Sequence, residues 1–321
     1  MASYDPIPIE DIRAAQERIA GEVVRTPLVR LNVDDAPAEI YLKLEVLQPI
    51  RAFKIRAAGN AMKLVDRKQL EDGVWTVSAG NWAQGLAWYA RKLGVKCTVV
   101  IPDDAPQTKQ DAIKRLGASL LKVPWAKGYE IVSTRSYEGM KGLFIHPFSD
   151  PAVMAGNGTI GLEILEDLPD VDAVLIPWGG GGLCCGIASA IRALKPDTKL
   201  YACEVETATP LAASFAASEP TDEIDYTHSF VDGIGHPLMS PEMWGLAKQL
   251  LDGSLVAGLD ETVAAICLLA ERNCVIAEGA GAVSVAVALS GNAGDGKVVC
   301  VVSGGNIDLA KLVKIFQGEV P

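Results

Sequence analysis

Residues 173–206 read AVLIPWGGGGLCCGIASAIRALKPDTKLYACEVE. The run opens with a continuous apolar stretch, breaks at four consecutive glycines, continues with a small-residue helical pattern, and closes on a second apolar stretch. That order is strand, turn, helix, strand. The same alternation extends in both directions. Upstream, VWTVSAG (74–80) reads as a strand entering a turn, and NWAQGLAWYARKLG (81–94) as a helix closed by Gly94. VKCTVVIP (95–102) and ASLLKVP (118–124) are strands around the helix APQTKQDAIKRLG (105–117), and DPAVMAGNGTIGLEILEDL (150–168) is a long helix. Downstream, LDETVAAICLLAERN (259–273) and AEGAGAVSVAVAL (277–289) are helices, and KVVCVVSGGN (297–306) is a last buried strand. Strands that are apolar throughout, set between helices, predict an α/β protein with parallel or mostly parallel open sheets covered on both faces.

The chain has 321 residues, 49% hydrophobic and 21% charged. A length of this order suggests two domains. No stretch has linker composition, so interleaved domains are expected: a large one from 1–72 and 150–321, and a small one from 73–149 that closes over the active site. FAASEPTDEIDYTHSF (215–230) is the most loop-like segment. The net charge of −11 argues against nucleic acid and against anionic membrane surfaces as partners. The N-terminal MASYDPIPIEDIRAAQERIAG has acids and a helical pattern unlike a signal peptide, and no run is long enough to span a membrane. The seven cysteines are odd in number, and several lie in apolar runs. Small buried side chains in a reducing cytoplasm are the expectation. His146, His228 and His236 have no metal-ligand spacing and are expected to be structural.

Three turns follow apolar strands: SAGNWAQG (78–85), GGGGLCCG (179–186) and SGGN (303–306). In parallel sheets, ligands bind beyond the carboxyl ends of strands. Four glycines let the backbone approach an anion closely, and the helix that follows adds a positive N-terminus. The pattern is neither G-x-x-x-x-G-K-[ST] nor G-x-G-x-x-G. One lysine, Lys54, stands in the apolar context of VLQPIRAFKIRAAGNAM (46–62), where an ammonium is costly to bury.

Taken together, AFKIR (52–56), SAGNWAQG, GGGG, EGAGA (278–282) and SGGN, in this order, resemble the fold-type II pyridoxal-phosphate enzymes, the group that is tryptophan synthase beta-like. Within it the chain is most similar to the threonine dehydratase and serine racemase branch, over nearly its whole length. The resemblance implies pyridoxal 5'-phosphate as cofactor and Lys54 as its Schiff-base lysine. It implies that Phe53 packs beside the ring and that Asn81 meets the ring hydroxyl. Gly179, Gly180, Gly181, Gly182 and Leu183 would cradle the phosphate, Ser303 would face the pyridine nitrogen, and Glu278 would sit near the ring. Ser78, Ala79, Gly80, Asn81, Trp82 and Gln84 would form the loop that binds the substrate carboxylate.

The implied activity is an ammonia-lyase reaction on a β-hydroxy amino acid such as threonine or serine, giving a 2-oxo acid and ammonia. An amino-acid racemase on the same scaffold and a non-catalytic cofactor-binding protein are the alternatives. Racemisation by two bases needs a second proton donor, a serine in the racemase branch. Here that position is Ala79, which favours the lyase. The chain departs from the family at Ala52, where serine is usual, at Ala57, where glycine is usual, and at Trp82, where histidine is common. These positions surround the pocket. Arg51 is read either as a contact to a second acidic group of the substrate or as a surface arginine. Some relatives hold a divalent cation through two carboxylates. Glu204 matches the first, but the second position is Pro210, so no metal is expected. The short stretch after SGGNID is expected to carry no regulatory domain. A small amino-acid substrate and a homodimer complete the expectations.

Overall fold

The computed structural model describes residues 5–222 and 224–321. Met1–Tyr4, at the start of the N-terminal stretch read above, and Glu223, in the loop-like segment, lie outside them. Ten strands are present among the described residues: β1 (Leu28–Arg30), β2 (Glu39–Leu44), β3 (Val74–Val77), β4 (Cys97–Pro102), β5 (Ser119–Val123), β6 (Leu143–Phe144), β7 (Ala173–Pro177), β8 (Lys199–Val205), β9 (Gly253–Ala257) and β10 (Lys297–Val302). They form a six-stranded sheet in the order β1-β2-β10-β7-β8-β9 and a four-stranded sheet in the order β5-β4-β3-β6. Every pairing is parallel except β1 with β2.

The apolar continuity of β7 and β10 has a direct cause. Successive strand residues face opposite sides of a sheet. Val174, Ile176, Val299 and Val301 enter one core, with the helices Pro151–Asp167 and Gly182–Leu194. Ala173, Leu175, Val298, Cys300 and Val302 enter another, with the helices Leu259–Asn273 and Gly279–Leu289. Both faces are covered, so neither alternate position can be polar. A third core joins the helix Lys54–Leu64, through Ile55, Ala58 and Met62, to the four-stranded sheet, through Val99 and Ile101, and to the helix Asn81–Leu93.

Five of the seven cysteines are buried, as the apolar runs suggest, but Cys267 is half-buried and Cys274 is exposed. Cys274 ends the helix Leu259–Asn273 in a left-handed conformation at φ 55°, which points it outward.

Candidate active site

Four strand ends converge. β3 runs into Ser78–Gly80, β7 into the glycine turn, β10 into Ser303–Gly304, and β6 into the loop 145–150. Lys54, the first residue of its helix, is tied to this centre by its neighbours. The Phe53 N–H donates to Ser303 O at 3.0 Å, and Ala52 pairs with Gly304. Lys54 Nζ donates to Pro147 O at 3.0 Å, 5.0 Å from the Phe53 ring centre and 5.6 Å from that of Trp82. Lys54 as a whole is half-buried. The walls around its amine are apolar, and desolvation pushes its pKa down to about 8.

Beneath the amine, Trp82 is buried, and its Nε1–H donates to Thr76 Oγ1 at 2.7 Å. Thr76 in turn donates to Ile145 O at 2.9 Å. The indole therefore extends from the SAGNWAQG turn inward, toward the lysine. Ser78 Oγ accepts the Gly80 N–H at 3.1 Å, which shapes that turn before the helix Asn81–Leu93 begins. Ala79 lies half-buried in it. Gln84 lines a pocket of about 160 Å³ with Arg51, Arg115 and Asn306. Arg51 is exposed and adopts φ 58°.

Asn81, Glu278 and Asn306 form one polar group. Asn81 Nδ2 donates to Glu278 Oε1 at 2.6 Å, and Asn306 Nδ2 donates to Asn81 Oδ1 at 2.8 Å. Burial, reinforced by the nearby Asp232 charge, pushes the Glu278 carboxyl up to about 7. Gly304 is needed beside it: a Cβ there would stand 2.3 Å from Glu278 Oε1. Ser303 is buried, with its hydroxyl donating a long bond to Ala280 O at 3.4 Å.

The N–H groups of Gly179, Gly180, Gly181, Gly182 and Leu183 donate to no acceptor among the described residues. Gly181 sits at φ 88°, and the helix Gly182–Leu194 starts immediately after it. Five unspent donors at a helix N-terminus form a nest for an anion. A Cβ at Gly180 would lie 2.4 Å from the Phe148 ring. Phe148 follows Pro147, so one loop touches both the lysine and the glycine turn. His146 fixes that loop: its Nδ1 accepts from the N–H groups of Phe148, at 3.3 Å, and Ser149, at 2.8 Å. Burial pushes its pKa down to about 3, so it stays a neutral acceptor. His236 stacks edge-on to Phe148 at 6.3 Å.

Glu204 is engaged with other partners. It accepts from Leu211 N–H, Ala212 N–H and Ser254 Oγ at 2.8, 2.7 and 2.6 Å, and so caps the helix Pro210–Ala217. Among the described residues, no group of three or more His, Cys, Asp or Glu side chains is placed to hold a metal.

Reading the sequence missed three contributors. Pro147 acts through its backbone, which no side-chain pattern reports. Phe148 contacts the glycine turn only because the loop folds back. The third is the ionic cluster under the lysine helix. Arg56, fully buried, donates from Nε and Nη2 to Glu45 at 2.9 Å each and from Nη1 and Nη2 to Glu163 at 2.6 and 2.9 Å. Lys43 Nζ joins at 2.6 Å from Glu163. Its signal was present in the sequence, since Arg56 follows Lys54 by two residues in an apolar helix.

With the geometry in place, comparison with known proteins gives a consistent answer. Residues 19–304 match the profile described as pyridoxal-phosphate dependent enzyme. An L-threonine ammonia-lyase of Thermotoga maritima is 38% identical over 316 residues, which cover 97% of this chain and 78% of that one. The catabolic L-threonine dehydratase of Escherichia coli is 37% identical over 321 residues, covering 98% and 97%. Among solved structures, maize serine racemase superposes with a TM-score of 0.89 at 33% identity, covering 97% of each chain. The processed form of threonine deaminase isoform 2 from Solanum lycopersicum gives 0.86 at 30% identity, covering 97% of this chain and 86% of that one.

Proposed function

Since the chain belongs to the pyridoxal-phosphate-dependent enzymes, with two mostly parallel sheets as in their fold-type II group, we propose that it is an ammonia-lyase converting threonine, serine or a related β-hydroxy amino acid to a 2-oxo acid and ammonia. The observation that carries this is the pairing of one depressed lysine amine with one unspent anion nest at the same cluster of strand ends. The residues present fit the cofactor. Gly179–Leu183 would hold its phosphate, Phe53 and Asn81 would hold its ring, and Ser303 would face its nitrogen. When bound, the cofactor supplies an electron sink for the substrate α carbon.

Lys54 performs the proton transfer in this reading. With a pKa of about 8, roughly a tenth of the amine is neutral at pH 7, against a few parts in ten thousand for an ordinary lysine. Lys54 Nζ would hold the cofactor and, when free of it, would accept the substrate α proton. The departing hydroxyl must gain one proton to leave as water. The bond to Pro147 O orients Nζ, and the Phe53 and Trp82 rings keep water from it.

Asn81 is held by its bonds to Glu278 and Asn306, so its remaining N–H is fixed in direction. The unpaired N–H groups at the start of the helix Asn81–Leu93 supply a carboxylate site. Ala79 offers no proton donor for a second face, which supports elimination over racemisation.

The reading includes a homodimer working in a reducing cytoplasm, in keeping with seven free thiols. It also takes 73–149, whose strands form their own sheet, as the part that closes over the substrate. The test is 2-oxo acid release from L-threonine and L-serine, with chiral chromatography of the remaining amino acid. Ammonia and 2-oxo acid with little mirror-image amino acid are expected. Racemisation as fast as ammonia release would overturn the lyase reading.

A further inference from the structure

The helix Pro151–Asp167 lies between the lysine helix and the helix that follows the glycine turn, and it touches both backbone to backbone. A Cβ at Gly156 would stand 2.6 Å from Arg56 O, and one at Gly158 2.9 Å from Gly186 O. Between these glycines, Asn157 is fully buried. Its Nδ2 donates to Gly182 O at 3.1 Å, while its Oδ1 has no partner among the described residues.

An orphaned buried acceptor destabilises the fold. A leucine, branched at the same carbon, would occupy the site without an orphaned acceptor. The donor half of the amide is not needed to satisfy Gly182 either, because a first-turn carbonyl already accepts from the helical ladder. Stability therefore gives no reason for asparagine here. Orientation does. The C=O of Gly182 and the N–H of Leu183 belong to one rigid plane and point in opposite directions. A second bond on the same oxygen restrains that plane more tightly than the ladder bond alone, and with it the direction of the Leu183 N–H, one of the five unspent donors.

We propose that Asn157 is a cofactor-positioning residue, which aims the Leu183 N–H at the phosphate of pyridoxal phosphate by pinning the Gly182 carbonyl. This rests on the cofactor reading above.

The test compares holoenzyme of the wild type with Asn157→Leu, and with Asn157→Ser in case leucine prevents folding. Three quantities are measured: cofactor retained on equilibrium dialysis, the phosphorus NMR shift of the bound phosphate, and KM at saturating cofactor. The expected result is cofactor held about tenfold or more weakly, because a hydrogen bond to a charged group is misdirected. The phosphorus shift should move, KM for the amino acid should stay unchanged, and the unfolding temperature of the leucine variant stripped of cofactor should be equal or higher. Equal retention with an unmoved phosphorus signal would overturn the proposal and leave the cofactor reading standing. A variant that only loses thermal stability would do the same. Wild-type protein that retains no pyridoxal phosphate would overturn both.

Discussion

Replacing Lys54 by methionine should stabilise the cofactor-free protein at neutral pH. Burial moves the folded pKa from 10.5 to about 8. At pH 7 the amine is protonated in both the folded and the unfolded chain, but the folded chain holds that charge in an apolar setting. A shift of about 2.5 units at about 1.36 kcal/mol each gives a penalty of at most about 3 kcal/mol. Between pH 8 and 10.5 the unfolded chain binds more protons than the folded one. Wild-type stability therefore rises with pH through that window, and the penalty fades. At pH 9.5 about half of it remains.

Methionine also loses the bond to Pro147 O, worth about 1 kcal/mol and independent of pH in this range. The net gain at pH 7 is then about 2 kcal/mol. With about 2.1 cal/mol/K per residue, the 321-residue chain has an unfolding entropy of about 0.7 kcal/mol/K, so the melting temperature should rise by about 3 °C. The assay is urea or thermal unfolding of both proteins, stripped of cofactor, at pH 7 and 9.5. The decisive quantity is a fall of about 1.5 to 2 kcal/mol in the gain between the two. A variant less stable than wild type at pH 7, or a difference that does not change with pH, would refute the desolvated lysine.

Three further outcomes follow from the site. Gly180→Val should weaken cofactor binding by about tenfold or more in a cofactor titration, because its Cβ must displace the Phe148 ring that lines the nest. Glu278→Gln should remove from the pH profile of kcat the ionisation that burial places near 7, since an amide cannot titrate there. Arg56→Met should cost about 3–5 kcal/mol in chemical denaturation, because it leaves the buried Glu45 carboxylate with only the neutral donors of Thr26 and Gln48 and leaves Glu163 with Lys43 alone. Glu45→Gln together with Glu163→Gln in that background should recover part of the loss.

The architecture was legible because its strands carry a strong signal. AVLIP and KVVCVV are buried on both faces, so their composition has no polar alternative. The lysine and the glycine turn were legible because each breaks a local rule, one with a charge in an apolar run and the other with four flexible residues in a row. β2 was harder to see. EIYLKL contains Lys43, which looks like a solvent-facing residue until Glu163 and Thr26 are seen to enclose it. The direction of Trp82 was likewise hidden. Only the structure shows that Thr76 on β3 accepts from the indole and that the ring centre stands 5.6 Å from the Lys54 amine. Asn81 and Glu278 are 197 residues apart in the chain. No local pattern announces such a pair.

The strand order carries a consequence for how the molecule is made. The four-stranded sheet uses residues 74–144 alone, so it can assemble as soon as that length has emerged from the ribosome. The six-stranded sheet cannot. β2 lies between β1 and β10, so residues 39–44 wait for residues 297–302 before their second edge is paired. Ser303, whose carbonyl fixes Phe53 beside Lys54, arrives with that same last strand. During synthesis the Lys54 amine therefore waits on an unfinished scaffold until residues 297–303 have been made.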